Sequence, residues 1–188
     1  DEKGTLYEGG IRVPMFVHWP GVVRPGSVCR EPTTTADLLP TFCEMASVKL
    51  SQQSVDGLSM VSLLKDPNTT LERDAIYFHY PHYRSSMPHS AVVSGTRKLL
   101  HFYERPDIPM LFDLSKDTGE VHNIASDHPA EHKQLFDDMM RYFDKVGARI
   151  PKLNPDYDPT VYKNAKEYEK RIQWGPFEDR RPLEEDER

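Results

Sequence analysis

The chain has 188 residues, of which 37% are hydrophobic, and it carries a formal net charge of −6. The acidic balance argues against a general nucleic-acid surface, because phosphate binding needs clustered Lys and Arg. No apolar run approaches the roughly 20 residues that a membrane-spanning helix needs, so we expect neither nucleic acid nor a membrane as a partner.

The first part of the chain predicts one strand followed by two helices. Residues 11–19, IRVPMFVHW, are an apolar run of β-formers between glycines and predict a buried strand. The segment TTTADLLPTFCEMA has a helical period, and its Pro40 is tolerated in the first turn, so this helix should begin near Asp37, whose carboxylate can cap it. A short helix in LLKDP should end before Pro67. The predicted apolar face of the first helix consists of Leu38, Leu39, Phe42 and Met45.

The second part predicts a sheet and a covering helix. Four short runs of β-formers, AIYFHY, SAVVSG, KLLHFYE and MLFDL, lie close together between Gly and Pro, which favours an antiparallel sheet. Asp127 is then expected to cap a helix from about Pro129 to Val146, whose 3.6-residue period gives one apolar face for the sheet. Beyond Gly147 the chain is rich in proline and charge, and it predicts one short polar helix around residues 161–172.

The most specific stretch is KGTLYEGGIRVP, residues 3–14, which we call the Lys3 loop. It combines Lys3, the carboxylate of Glu8, the adjacent pair of glycines that follows Glu8, and Arg12 at the start of the predicted strand. Such a loop can hold an anion, because an ammonium and backbone amides donate hydrogen bonds while glycines leave the approach open. The commoner alternative is an ion pair between Glu8 and Arg12 that braces a turn. The two interpretations are compatible, since Lys3 can contact a ligand while Glu8 and Arg12 give structural support.

A second candidate site lies in FHYPHYR, residues 78–84. Pro81 bends the predicted strand, so His82 can project from its end toward a cleft, whereas His79 stays on the strand. Metal binding is the least favoured interpretation, because no Cys, Asp or Glu lies nearby to complete a shell. The alternatives left open are ordinary packing and substrate contact. For a sugar ring, histidine and tyrosine offer donors, acceptors and a stacking face, and His82 is the better candidate of the two.

The Lys3 loop, followed by WPG, closely resembles the second signature of the type I, formylglycine-dependent sulfatases of the alkaline-phosphatase-like superfamily. DLLPTFCEMA, VDGLSMVSLL and MLFDLSKDTGEVHNIA resemble later parts of that family in the same order, over residues 1 to about 150. The resemblance implies the C-terminal end of an α/β catalytic domain over residues 1–70. It further implies an α+β subdomain over residues 71–150, with a four-stranded antiparallel sheet packed on a helix, and an extended polar tail over residues 151–188.

The resemblance also implies a reaction, the hydrolysis of sulfate monoesters such as aryl sulfates or sulfated glycans. Formylglycine is the family's nucleophile and acts beside a divalent cation, usually calcium. Lys3 matches the family lysine that contacts the sulfate and the bridging oxygen, so its expected catalytic role is to neutralise charge on the leaving oxygen. Similar sulfatases carry a HYPHY-like stretch at the mouth of the active site, which favours substrate contact by His82 and His79. Family members are commonly exported, so we expect a periplasmic, lysosomal or extracellular location.

The chain departs from the family pattern at the nucleophile. Neither Cys29 nor Cys43 lies in the CxPSR context that formylglycine formation requires, and the acidic pairs of the metal site are missing. We therefore expect unpaired thiols, no metal ligands here, and both formylglycine and most calcium ligands upstream of residue 1. The chain should be inactive by itself, with the upstream half of the same protein as its partner.

Two alternatives to a sulfatase remain open. A phosphatase or phosphonate hydrolase of the same superfamily is the nearest enzyme, and a non-catalytic carbohydrate- or anion-binding module is the alternative from another class. The apolar strand predicted at residues 11–19 argues against a free-standing module, because such a strand needs cover on both faces.

Overall fold

The computed structural model describes residues 3–50, 55–83, 86–152 and 154–156. The chain divides into two compact units. Of the described residues, those before residue 14 and after residue 74 belong to the sheet unit, and those between them belong to the helical unit. The division predicted from the sequence, at residues 70 and 150, stays a prediction, and the polar helix predicted around residues 161–172 lies outside the described residues.

The sheet unit is built on a four-stranded antiparallel sheet with the strand order β1-β2-β3-β4, which confirms the predicted sheet. Tyr80 pairs with His89, and His89 pairs in turn with Phe102. The end of the first strand, the start of the second and the end of the third therefore lie side by side at one end of the sheet. The strands are β1 (Ile76–Tyr80), β2 (His89–Ser94), β3 (Arg97–Phe102) and β4 (Met110–Asp113).

Both faces of this sheet are covered, because successive side chains of a strand point to opposite faces. Leu6 and Tyr7 of the Lys3 loop pack on one face. The helix α4 (Pro129–Val146) packs on the other face through Met139 and Phe143. The sheet residues buried under the Lys3 loop are Ala91, Leu100, Phe102, Met110 and Phe112. The loop is thus a structural layer of the sheet unit.

The helix α4 has the predicted bounds, but the predicted cap is wrong. His128 occupies the N-cap position without a side-chain hydrogen bond, and Pro129 is the first helical residue. The cap differs because proline presets the helical φ angle and keeps the residue before it out of the helix, while the Asp127 N–H donates to the Ile124 carbonyl in a turn. Among the described residues, no helix combines the length and the apolar character needed to cross a membrane.

The helical unit contains a short 3₁₀ turn, Thr35–Asp37, followed by α2 (Leu38–Met45) and α3 (Val61–Lys65). The predicted start of the first helix near Asp37 is confirmed, and the second ends before Pro67 as expected. Asp37 is the N-cap residue of α2, but its carboxylate makes no cap hydrogen bond to that helix, so the predicted cap is wrong. The carboxylate instead accepts from the Thr34 N–H in a capping box of the preceding 3₁₀ turn. Gly57 allows the following loop to approach closely, because a Cβ atom there would lie 2.0 Å from the Ala36 carbonyl oxygen.

Two apolar segments that we expected to be buried are exposed. The predicted strand at residues 11–19 is wrong, since residues 12–19 form no strand and Phe16 is 92% exposed. The prediction failed because a strand needs hydrogen-bonding neighbours, and the described residues pair none with this segment. On α2, Leu39 and Phe42 of the predicted apolar face are also exposed, whereas Pro40 and Thr41 are the buried residues.

Candidate functional site

The Lys3 loop exposes its cation while its middle is buried. Lys3 is exposed, and Gly4 then turns the chain with a φ of 104°, a left-handed conformation that glycine adopts without strain. Leu6 and Tyr7 are buried, and one short helical turn, α1 (Glu8–Ile11), follows. The loop therefore carries Lys3 on a backbone that is fixed from Leu6 onward.

The first attachment of this loop to the sheet is a hydrogen bond from the Leu6 N–H to His89 Nε2, at 2.9 Å. Because Nε2 accepts, Nδ1 carries the proton and donates to the Met87 carbonyl at 2.7 Å. The ring of His89 also stacks on Phe102, with centroids 4.9 Å apart. Burial lowers the pKa of His89 to about 4, with a further contribution from the nearby Lys98 charge. His89 is thus a neutral acceptor at physiological pH.

This attachment should depend on pH. The folded pKa of His89 lies near 4 and the unfolded value near 6.5, so the stabilisation is complete above about pH 6.5 and is lost as the pH falls toward 4. Over that interval the loss is on the order of 3 kcal/mol. Hydrogen exchange of the Leu6 amide, corrected for intrinsic rates, should show the protection falling in wild type. His89→Gln, which cannot titrate, should flatten the dependence, and an unchanged slope in that variant would contradict the assignment.

The second attachment is a buried ion cluster. Lys98 on β3 is fully buried, and its Nζ lies 2.9 Å from Glu8 Oε1 and 2.8 Å from Glu120 Oε1. Glu120 Oε2 accepts a hydrogen bond from the Glu8 N–H at 2.5 Å. On the outer side, Arg12 Nη1 lies 3.2 Å from Glu8 Oε2. Burial raises the pKa of Glu120, and the Lys98 charge and the Glu8 N–H oppose that rise. Two cations and two carboxylates thus balance at this point.

The structure places His82 at the same end of the sheet as the Leu6–His89 attachment. His82 is exposed just beyond β1, with its ring edge-on to Tyr80 at 5.7 Å between centroids. Tyr80 is in turn the strand partner of His89. His82 therefore meets the solvent at the end of the sheet where Leu6 of the Lys3 loop is attached.

His79 has a different environment. Its Nδ1 lies 2.8 Å from Ser90 Oγ, and its Nε2 lies 3.0 Å from the Arg149 carbonyl oxygen. Its ring also packs on Phe143, at 4.8 Å between centroids. Both ring nitrogens therefore have protein partners, and the substrate contact predicted for His79 stays a prediction.

A family model described as N-sulphoglucosamine sulphohydrolase, C-terminal, matches residues 2–148. The chain belongs to the sulfatase family. A sulfatase of Formosa agariphila is 33% identical over 164 residues, which cover 81% of this chain and 29% of that protein. Human arylsulfatase A is 32% identical over 65% of this chain and 28% of its own length. The chain spans less than a third of the length of these two sulfatases.

A solved structure agrees with the fold. The crystal structure of Ps i-CgsB in complex with k-i-k-neocarrahexaose has a TM-score of 0.63 and 28% identity, and covers 72% of this chain and 29% of that one. Together with the sheet and its helix, this match confirms the predicted fold of a C-terminal sulfatase portion.

The sulfatase metal does not fit onto this part of the chain. Among the described residues, no group of three or more His, Cys, Asp or Glu side chains could hold a metal ion. Cys29 and Cys43 are both free thiols, as expected.

Sequence reasoning missed three residues that hold the Lys3 loop, namely His89, Lys98 and Glu120. The strand pattern gave a weak signal for Lys98, because it directly precedes the two buried leucines of β3. His89 and Glu120 lie in segments that carry no motif of their own for this contact. Their role depends on tertiary neighbours.

Proposed function

We propose that this chain is the C-terminal portion of a sulfatase that hydrolyses sulfate monoesters, and that it presents Lys3 to the substrate sulfate. One observation carries the proposal: Lys3 is exposed on a loop whose next residues are bound to the sheet through Leu6 and Glu8. A cation held in this way can be preorganised for an anion, which is the condition under which electrostatic stabilisation of a transition state is largest.

The proposed role of Lys3 is to donate hydrogen bonds to the sulfate and to the oxygen that leaves with the alcohol. Negative charge grows on that oxygen as the bond to sulfur breaks, so the contact strengthens in the transition state and raises kcat. The nucleophile, expected as formylglycine, and the calcium ligands are proposed to lie in the upstream half of the protein. Those groups would supply the attack on sulfur.

We further propose that His82 contacts the part of the substrate beyond the sulfate. Its support is its exposed position beside the attachment of the Lys3 loop. A sulfated glycan is the preferred substrate class for two reasons. The description of the matched family names a sulphoglucosamine, and the structure of Ps i-CgsB is a complex with an oligosaccharide. A small aryl sulfate is the simpler alternative. His79 is the weaker candidate, since both of its ring nitrogens have partners.

The upstream half of the same protein is the proposed partner of this chain. The exposed apolar residues between Val13 and Val17 support it, because such a segment gains stability when a neighbouring element covers it. A periplasmic, lysosomal or extracellular location remains part of the proposal, as do the expected absences of nucleic-acid and membrane partners.

The test is a comparison of the complete protein with this 188-residue chain. Both are assayed for sulfate release from a chromogenic aryl sulfate, and for phosphate release from the matching aryl phosphate, with calcium present. We expect sulfate release by the complete protein and none by the chain alone. Phosphate release without sulfate release would assign the protein to the phosphatase alternative, and inactivity toward both esters would favour the binding module.

A further inference from the structure

The sheet carries a second ion cluster, centred on Arg97, beside the Glu8–Lys98–Glu120 cluster. The two clusters connect the sheet to different elements. Arg97, the residue before Lys98 on β3, pairs with Asp113 at 2.6 Å and with Glu131 at 2.8 Å. In each cluster, one cation on β3 thus contacts two carboxylates. The Arg97 cluster joins the sheet to α4, whereas the Lys98 cluster joins the sheet to the Lys3 loop.

The two clusters also differ in how deeply their cations are buried. The side chain of Lys98 is 0% exposed, and that of Arg97 is 27% exposed. An ammonium without water requires both carboxylates at short range, because an unpaired buried charge is strongly destabilising. The position of Glu8 is therefore set by two groups at once: Lys98 binds its side chain, and Glu120 binds its backbone N–H.

The backbone of Glu120 adds a further sign of constraint. Its φ angle is 55°, a left-handed conformation that a residue with a Cβ adopts only at a cost. The turn after β4 keeps this conformation, with the Glu120 N–H 3.3 Å from the Asp117 carbonyl oxygen. The result is that the carboxylate of Glu120 reaches the first residue of α1.

We propose that Lys98 and Glu120 are positioning residues for sulfate hydrolysis, which fix the Lys3 loop so that Lys3 meets the sulfate in the productive geometry. The inference rests on the proposed function, because it assigns Lys98 and Glu120 an effect that acts through Lys3. Both side chains are buried, so the proposed effect on the substrate is indirect. A displacement of about 1 Å at a reacting group can cost on the order of 100-fold in rate, so a loosened loop should lower kcat.

The experiment uses the complete protein, with kcat for an aryl sulfate and the melting temperature measured for each variant. Lys98→Met removes the buried charge at similar size, and Arg97→Met is the matched control from the neighbouring cluster. Each substitution is made in wild type and in Lys3→Ala. We expect Lys98→Met to lower kcat about 30-fold in wild type and less than about twofold in Lys3→Ala, because a loop without Lys3 has nothing to position. Arg97→Met should leave kcat within about twofold in both backgrounds.

Glu120→Gln is the second variant, and it carries the test if Lys98→Met does not fold. It keeps the size of the side chain and an acceptor for the Glu8 N–H, but it removes the charge. We expect a smaller loss of kcat, about fivefold, that again disappears in Lys3→Ala.

Equal losses in the two backgrounds, or equal losses for Lys98→Met and Arg97→Met, would show that the cluster acts only on stability and would overturn the inference. This failure differs from a failure of the proposed function, in which wild type itself releases no sulfate.

Discussion

Lys3→Ala in the complete protein should lower kcat for an aryl sulfate by about 100-fold, while the melting temperature stays close to that of wild type. The rate should fall because a charge-assisted contact that strengthens in the transition state is lost. The stability should change little because Lys3 is exposed, and exposed substitutions away from buried contacts usually have small effects. The measurements are initial rates over a range of substrate concentrations and a thermal unfolding curve.

The matched control for this prediction is Lys116→Ala. Lys116 has an 84% exposed side chain, follows β4 and lies 3.9 Å from Asp113. Asp113 is the strand partner of Arg97 at the end of the sheet opposite to Tyr80. This control should leave kcat within about twofold of wild type. A Lys3→Ala enzyme that keeps wild-type kcat, or that only raises KM, would remove Lys3 from the transition state and leave it a role in binding.

The sequence predicted the secondary structure of the sheet unit well, because its signals are local. Each strand is a short run of β-formers bounded by Gly or Pro, and Pro129 and Gly147 mark the two ends of α4. The meander also follows from short connections, since neighbours in sequence become neighbours in an antiparallel sheet. The prediction of Asp127 as the N-cap residue was wrong. The preference of Asp for that position is weaker than the effect of Pro129, which keeps His128, the residue before it, out of the helix.

The contacts that fix the candidate site could not be predicted in the same way. Glu8 lies 90 residues from Lys98 and 112 residues from Glu120 in sequence, so no periodicity or spacing connects them. The sequence indicated a local pair between Glu8 and Arg12, which is the i, i+4 pair of a helical turn. The stronger, buried half of the cluster appears only once the Lys3 loop is packed on the sheet.

The strand predicted at residues 11–19 is a local prediction that was wrong. Its composition correctly indicates a segment that favours burial, but a strand is a property of a pair, and the described residues provide no pairing strand. Phe42 on α2 is likewise an apolar residue that the sequence predicted to be buried and that is exposed. Composition therefore predicted which residues favour burial, and only the tertiary structure decides which of them are buried.

Asp37→Ala should destabilise the helical unit by about 3–5 kcal/mol, the cost of breaking a buried ion pair by removal of one partner. Asp37 is fully buried and pairs with Arg73, whose side chain is 13% exposed. Its carboxylate also accepts hydrogen bonds from the Thr34 N–H at 2.7 Å and the Leu58 N–H at 2.8 Å. The substitution therefore leaves one cation and two backbone donors without their acceptor. The Met60 amide is the reporter, because it is buried and donates to a hydroxyl of α2 rather than to Asp37. Its hydrogen exchange in the complete protein reports the opening free energy of the unit.

The control is Asp66→Ala, which removes an exposed carboxylate that accepts from the Asn68 N–H in a turn of the same unit. Its expected cost is below about 1 kcal/mol, so equal losses of Met60 protection in the two variants would contradict the assignment. Acidification provides an independent check. Burial alone would raise the pKa of Asp37, but Arg73 and the two backbone amides hold it below its usual value. The stabilisation should therefore be present above about pH 4 and be lost as the pH falls through the lowered pKa. Because Ala cannot titrate, Met60 protection should lose this acid-dependent component in Asp37→Ala, so that wild type approaches the variant only in acid.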